Sequence, residues 1–375
     1  MSAFDLAIIG AGIAGASLAW RLAGRMRVVV LERESQPGYH STGRSAAMFM
    51  ESYGPPGVRA LTRASRAFYE SPPAGFTASP LLAPRGALYV AMHGQEALLQ
   101  ATYDELIAGC PALERLDAPA TLAIAPCLKA GQVHGALLDR DSQDIDVHAL
   151  HQGFLRGMRA AGGELRCDAH VTAAVHEGGA WRLSLADGTA VAARTVVDAA
   201  GAWADEVASL FGARRVGLVP RRRSAFTFAA PEGVATAHWP AIVGIDESWY
   251  FKPDAGRLLG SPANADDTVP HDVQPEELDI ALAIDRIQNA TTLDIRRPLS
   301  TWAGLRSFVA DGEPVIGFDA ARPGFFWLAG QGGYGIQSAA GASLLAATLL
   351  AGESLPDDLL RQGVQAGMFS PSRFS

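Results

Sequence analysis

Cysteine is scarce: Cys110, Cys127 and Cys167 are the only three in a chain of 375 residues. An odd number at wide spacing excludes a disulfide framework and a cysteine metal knuckle, and fits reduced thiols in a cytoplasmic protein. Charge is also sparse, at 19% of residues, with 31 basic against 39 acidic side chains and a net of −8. The longest basic run is Arg221-Arg222-Arg223, which gives no support to a nucleic-acid surface. The uncharged stretch from Leu6 to Trp20 is too short for a bilayer span, carries Gly10, Gly12 and Gly15, and follows no basic start. It therefore reads as neither anchor nor signal peptide, and no integral membrane segment is expected. Internal repeats, low-complexity tracts and Pro/Ser-rich linkers are absent too. The nine histidines form no metal pattern: His148 and His151 sit three apart on an expected helix without a third ligand, and read as a solvated face.

What is present is apolar residues at 49%, in a chain longer than one compact core usually supports. Two intimately joined domains and a small-molecule partner are the natural expectation. The chain opens with a strand (Phe4 to Ile9), a turn, a helix (Ile13 to Ala23) and a strand (Val28 to Glu32), a βαβ unit that calls for a parallel sheet. Ile145 to Ala161 reads as a helix, and Val171 to His176, Trp181 to Ala186 and Ala190 to Asp198 read as a meander returning to that sheet. From Arg221 to Gly260 the runs alternate, as in an antiparallel sheet of a second domain. Pro275 to Ala290 resembles a helix with proline in its first turn. Phe325 to Ala329 is a buried strand leading into Gly330-Gln331-Gly332-Gly333-Tyr334-Gly335 and a helix ending near Gly352.

In Gly10-Ala11-Gly12-Ile13-Ala14-Gly15, the first glycine permits a tight turn and the second a close approach to pyrophosphate. The third lets helix and strand pack, and the helix N-terminus offers amides and partial positive charge to phosphate. Glu32 ends the next strand, 17 residues after Gly15, where a carboxylate can accept both ribose hydroxyls of an adenosine. Its charge disfavours a 2′-phosphorylated nucleotide. Two further segments favour FAD over NAD. Ser41-Thr42-Gly43-Arg44-Ser45-Ala46-Ala47 is a loop of short side chains able to lie along a pyrophosphate and ring edge, with Arg44 as a counter-charge. The second glycine-rich turn precedes a long helix whose dipole can support the charge of a reduced flavin.

These residues resemble the D-amino-acid oxidase and glycine oxidase family of FAD enzymes, and within it the arginine-oxidising bacterial D-amino-acid dehydrogenases. The likeness runs nearly end to end, through Glu32 to His40, Ser41 to Ala47, Arg221 to Phe228, Lys252 to Gly256, Leu259 to Asp266, Asp272 to Pro275, Trp302 to Asp311 and Gln331 to Gln337. It implies an α/β fold with a Rossmann-like FAD-binding domain (1–83, 144–214 and 307–375) and an interleaved substrate domain on an antiparallel sheet (84–143 and 215–306). It implies non-covalent FAD held by Gly10, Gly12, Ala14, Gly15, Glu32, Arg33, the 41–47 loop, Val171, Gly201, Gly332, Gly333, Tyr334, Gly335, Ile336 and Gln337. Arg223, Arg306 and Tyr250 would bind a substrate carboxylate, and Tyr53 and the Gly333 carbonyl its amine.

The implied reaction is hydride transfer from Cα to flavin N5, giving an imino acid that hydrolyses to a 2-oxo acid and ammonia; an electron acceptor must then reoxidise the flavin. Ala87 stands where the arginine-using relatives have glutamate, Met48 where they have histidine and Ala241 where they have methionine. With Met50 and Val243 these substitutions favour apolar or aromatic side chains over basic ones. Glu247 or Glu51 is available as a replacement acid. Oxidation of N-methyl amino acids or 2-hydroxy acids, or a non-catalytic flavin-binding role, are the competing expectations.

Overall fold

β1 (Phe4–Ile9), α1 (Ile13–Leu22) and β2 (Val28–Leu31) follow one another in the computed structural model, which describes residues 4–374. All four residues of β2 and the last four of β1 are buried, as a strand covered on both faces must be. β1 runs parallel to β2, with Leu6 opposite Val28, and parallel to strand Ala190–Asp198, with Ile9 opposite Asp198. The strands Val171–Glu177, Ala180–Leu185 and Ala190–Asp198 form the expected meander. Strand Phe325–Ala329 joins the other side of Ala190–Asp198 in parallel. Leu18 and Leu22 of α1, Phe154 and Met158 of helix Val147–Ala160, Leu61 of helix Pro56–Glu70 and Leu345 of helix Ala339–Ala351 share one core over this sheet.

A second sheet is built from later strands, with helix Glu277–Ala290 packed behind it through Ile280 and Ile287 against Phe226 and Phe251. Its pairs are antiparallel, with one departure from expectation: Ala241–Gly244 runs parallel to Ala87–Met92. Helix Glu277–Ala290 begins after Glu276, so Pro275 lies just outside the first turn rather than within it. Strand Ser300–Phe308, which the apolar run around Trp302 did not announce, lies against strand Val219–Phe228 over nine residue pairs. A small third sheet, Met48–Phe49, Leu82–Pro84 and Gln143–Ile145, sits where chain passes between the two larger ones. Among the described residues no helix is long and apolar enough to cross a membrane.

The first turn shows why this sequence folds as it does. Gly10 has φ of +101°, in the region that side chains avoid. A β-carbon on Gly15 would lie 2.0 Å from the Gly10 carbonyl oxygen, so α1 crosses the turn at a distance only glycine allows. Gly15→Ala is therefore expected to cost more than about 1–3 kcal/mol, because backbone and not a movable side chain is in the way. The check is flavin absorbance per mole of purified protein together with Tm, and a variant with wild-type values of both would remove this constraint.

Candidate active site

α1 begins after its N-cap Gly12 with no acidic residue in its first turn, and its N-terminus faces a cleft of about 610 Å³. Three distant side chains hold that turn in place. Glu32 Oε2 accepts the Ala11 amide at 2.8 Å and Oε1 accepts the Glu34 amide at 3.0 Å. Each oxygen keeps a further lone pair for a ribose hydroxyl. Thr42 Oγ1 accepts the Ile13 amide at 3.0 Å, a helix cap supplied from the 41–47 loop. From below, His151 Nε2 donates to the Ala11 carbonyl at 2.8 Å. His151 is therefore no solvated helix position: it is 4% exposed and packs beneath the turn.

The 41–47 loop is stitched to the strand that carries Arg306. Ser41 Oγ donates to the Leu305 carbonyl at 2.7 Å, and Trp302 Nε1 donates to the Arg44 carbonyl at 3.0 Å. Arg44 lines the cleft, but its guanidinium is occupied by Asp272 and by the Val273 and Ala303 carbonyls. It tethers the loop to the second sheet rather than standing free as a phosphate counter-charge. Gly43 does not face the cleft, since its amide is turned to the Gly38 carbonyl at 2.8 Å. Gly10, Gly12, Ala14, Glu32, Arg33, Ser41, Thr42, Ser45, Ala46, Ala47, Val171 and Gly201 all line the cleft. Arg33 does so while stacked 4.3 Å over Trp203, a residue that the motif reading passed over.

At the second glycine-rich turn, the Gly332 amide donates to the Ser307 carbonyl at 2.9 Å, joining the turn to the Arg306 strand. Gly332, Gly333, Gly335, Ile336 and Gln337 line the cleft. Tyr334 does not, because its ring turns back onto Tyr53, with centroids 5.0 Å apart. Gln337 spends its amide on the Tyr53 carbonyl and the Thr62 hydroxyl, at 3.2 and 3.1 Å. The helix itself starts only at Ala339, so five residues of turn separate its first amide from Gly333.

Strand alternation sorts the three arginines. Arg222 points to one face and meets Asp266, Glu276 and Asp279. On the other face Arg221 pairs with Asp267 at 2.8 Å, while Arg223 and Arg306 line the cleft. Arg306 lies opposite Arg221 and Arg223 opposite Gly304, which makes Arg223 and Arg306 diagonal neighbours. Among the described residues neither is paired with a carboxylate. Burial, and then the neighbouring Arg306 charge, lower the pKa of Arg223 from its ordinary value. Arg306 Nη1 donates to the Tyr53 hydroxyl at 3.2 Å, and Tyr250 lines the same end of the cleft.

The wall beside them consists of Met48, Met50, Ala241 and Val243, together with Tyr89 and Lys252. Ala87 does not reach the cleft: it is fully buried, directly opposite Ala241, and its methyl group ends beneath the wall. Glu51 is held by Arg66 at 2.6 Å and is not a free pocket acid. Glu247 lies exposed at the rim with φ of +52°, and among the described residues it has no ion-pair partner. Tyr89, unread in the sequence, leads to a buried chain in which Ser52 Oγ lies 3.2 Å from its hydroxyl and donates to Asp139 at 2.7 Å. That chain anchors the residue next to Tyr53. Strand pairing sets 89 diagonally across from 139, and the turn that carries Ser52 comes to them from a distant part of the chain.

A family profile described as DAO, FAD dependent oxidoreductase, matches residues 5–349. The chain belongs to this family. The DAO-family protein is 25% identical to glycine oxidase from Bacillus licheniformis, across 93% of both chains. Its fold superposes on glycine oxidase from Geobacillus kaustophilus with a TM-score of 0.82 at 22% identity, covering 97% of this chain and 99% of the other. The L-α-glycerophosphate oxidase of Mycoplasma pneumoniae, a structure with FAD bound, superposes with a TM-score of 0.84 at 18% identity, covering 94% and 95%. The donor set fits the cofactor: helix N-terminal amides for pyrophosphate, Glu32 for ribose, and a second turn of backbone donors at the far end. The protein is an FAD-dependent oxidoreductase.

His151 supplies a pH test of the turn. Desolvation holds its pKa below the usual histidine value. The unfolded chain takes up this proton as pH falls through about 6.5, and the folded chain only at lower pH. The contribution of His151 to stability is therefore whole above that value and declines as pH falls from it towards the folded pKa. The Tm advantage of wild type over His151→Gln is expected to shrink between neutral pH and about 5.5, and a constant difference across that range would refute the assignment.

Proposed function

We propose that this protein oxidatively deaminates D-amino acids, favouring apolar or aromatic side chains over basic ones. The observation that carries the reading is the pair of guanidinium groups, Arg223 and Arg306, exposed to the cleft without a carboxylate partner and bordered by an apolar wall. Two adjacent cations in a half-buried site are mutually unfavourable, and an anion between them relieves the repulsion. A planar carboxylate matches the arginine fork, and Tyr250 adds a hydroxyl at the same end.

With the carboxylate so fixed, the Tyr53 hydroxyl and the Gly333 carbonyl are candidates for orienting the amine. The neighbouring guanidinium charges favour its neutral form, which hydride loss from Cα requires. Bound FAD would supply the hydride acceptor, and the imino acid formed from the substrate would be hydrolysed by water to a 2-oxo acid and ammonia. The chain contributes position, not a nucleophile. The side chain would then meet Met48, Met50, Ala241 and Val243. Among the described residues of that wall the one charged side chain is Lys252, held by Asp144 at 2.6 Å, and the unpaired carboxylate of the cleft, Glu247, stands exposed at its rim.

The decisive measurement is anaerobic flavin bleaching with matched D- and L-amino acids. D-Leu, D-Met, D-Phe and D-Tyr are expected to give higher kcat/KM than D-Arg and than their L-forms. The reverse order in either comparison would overturn the corresponding half of the proposal. N-methyl amino acids and 2-hydroxy acids belong in the same panel, because the carboxylate anchor alone does not separate them. Arg306→Met should lower kcat/KM by about thirtyfold or more, the cost of about 2 kcal/mol or above for stranding a buried ionic partner. Flavin content should stay unchanged.

A further inference from the structure

His93, Glu96 and His134 converge on the surface of the second sheet, outside the cleft. His93 follows the last residue of strand Ala87–Met92, Glu96 is the first residue of helix Glu96–Leu106, and His134 is the second residue of strand Val133–Asp139. Their donor atoms all lie within 4.8 Å of one another, with His134 Nδ1 3.6 Å from Glu96 Oε1. A tetrahedral zinc ion with bonds of about 2.0–2.1 Å spaces its donors by about 3.4 Å. One pair is thus already near that spacing, and ring rotation brings in the other.

The backbone around these side chains is braced. The His93 amide donates to the Gln132 carbonyl at 2.8 Å, and Gln95 Oε1 accepts the Met92 amide at 2.9 Å. The Gly94 amide donates to Glu96 Oε1 at 3.0 Å, which holds the carboxylate towards the histidines. Among the described residues neither imidazole makes a side-chain hydrogen bond, so both rings are free to ligate. All three side chains are reachable from solvent. The sequence concealed this group because His93 just follows one strand and His134 lies on another, and only the pairing of those strands brings them together.

We propose that His93, Glu96 and His134 form a surface site for a divalent transition-metal ion, zinc in the first instance, with water completing the shell. Two imidazoles and one carboxylate suit zinc, nickel or copper, and are a poor set for magnesium or calcium, which prefer oxygen donors. The ion would pin two strand ends and a helix start to one another. Because the unfolded chain lacks the assembled site, occupancy stabilises the fold by mass action. The strand so pinned also carries Tyr89 in the cleft wall, yet the site needs neither flavin nor substrate.

The test uses the full-length, flavin-loaded protein. Zinc is titrated in competition with a chromogenic chelator, and Tm is followed in parallel. A single equivalent is expected to bind at neutral pH, to raise Tm, and to be released when the imidazoles are protonated. His93→Ala and His134→Ala should each weaken binding by at least about tenfold, while His148→Ala, at an exposed histidine elsewhere, should leave it intact. Unchanged flavin content and metal-free Tm will certify that the variants fold. Magnesium should give no stabilisation. Failure to compete with the chelator, or binding that survives both substitutions, would overturn the site whatever the substrate panel shows.

Discussion

The backbone between Gly10 and Gly15 must present bare amides to a ligand while remaining rigid, and these demands conflict. A turn that satisfied all its own hydrogen bonds would have nothing to offer a phosphate. The chain resolves this by bracing the turn from outside: Glu32 takes the Ala11 amide, His151 reaches the Ala11 carbonyl, and Thr42 caps Ile13. The braces come from the next strand, from a helix more than a hundred residues on and from a neighbouring loop. The remaining first-turn amides of α1 stay available.

The brace from Thr42 extends further. Its loop is tied by Ser41 and Arg44 to the strand of Arg306, and that strand is tied by Ser307 to the second glycine-rich turn. Thr42, which caps the first turn, is thereby in register with the residues at the other end of the cleft. This linkage explains why side chains expected to touch the cofactor do something else. Arg44 and Gln337 line the cleft but spend their donors on holding Ala303 and Tyr53 in position.

What the sequence disclosed followed from local geometry. Gly10, Gly15 and Glu32 sit within one βαβ unit, where turn, helix packing and ribose recognition each demand a residue type at a fixed spacing. The meander to Asp198 and the strand Phe325–Ala329 were legible for the same reason: apolar strands bounded by turns need no distant partner to be recognised. His151 was misread because a histidine on an amphipathic helix has the same spacing whether it faces water or a turn 140 residues away. Ala87 was assigned to the pocket from the relatives' glutamate, but a residue whose side chain ends at Cβ cannot reach where a longer one would. Strand Ser300–Phe308 escaped notice because Arg306 interrupts an apolar run, and that interruption is what places it in the site.

The arginines make the electrostatic logic plain. Arg222 and Arg223 are adjacent in sequence, and alternation turns the first towards three carboxylates and the second into the cleft, where among the described residues it meets none. A protein with 39 acidic residues had ample means to neutralise Arg223 and Arg306 internally. Leaving them side by side without a carboxylate costs stability, and an anionic ligand between them would relieve that cost. The same field acts on whatever else the ligand carries: an ammonium group a few ångströms away is driven towards its neutral form, whereas a hydroxyl is little affected. One arrangement of charge would therefore serve both to anchor an acid and to favour the neutral form of an amine beside it.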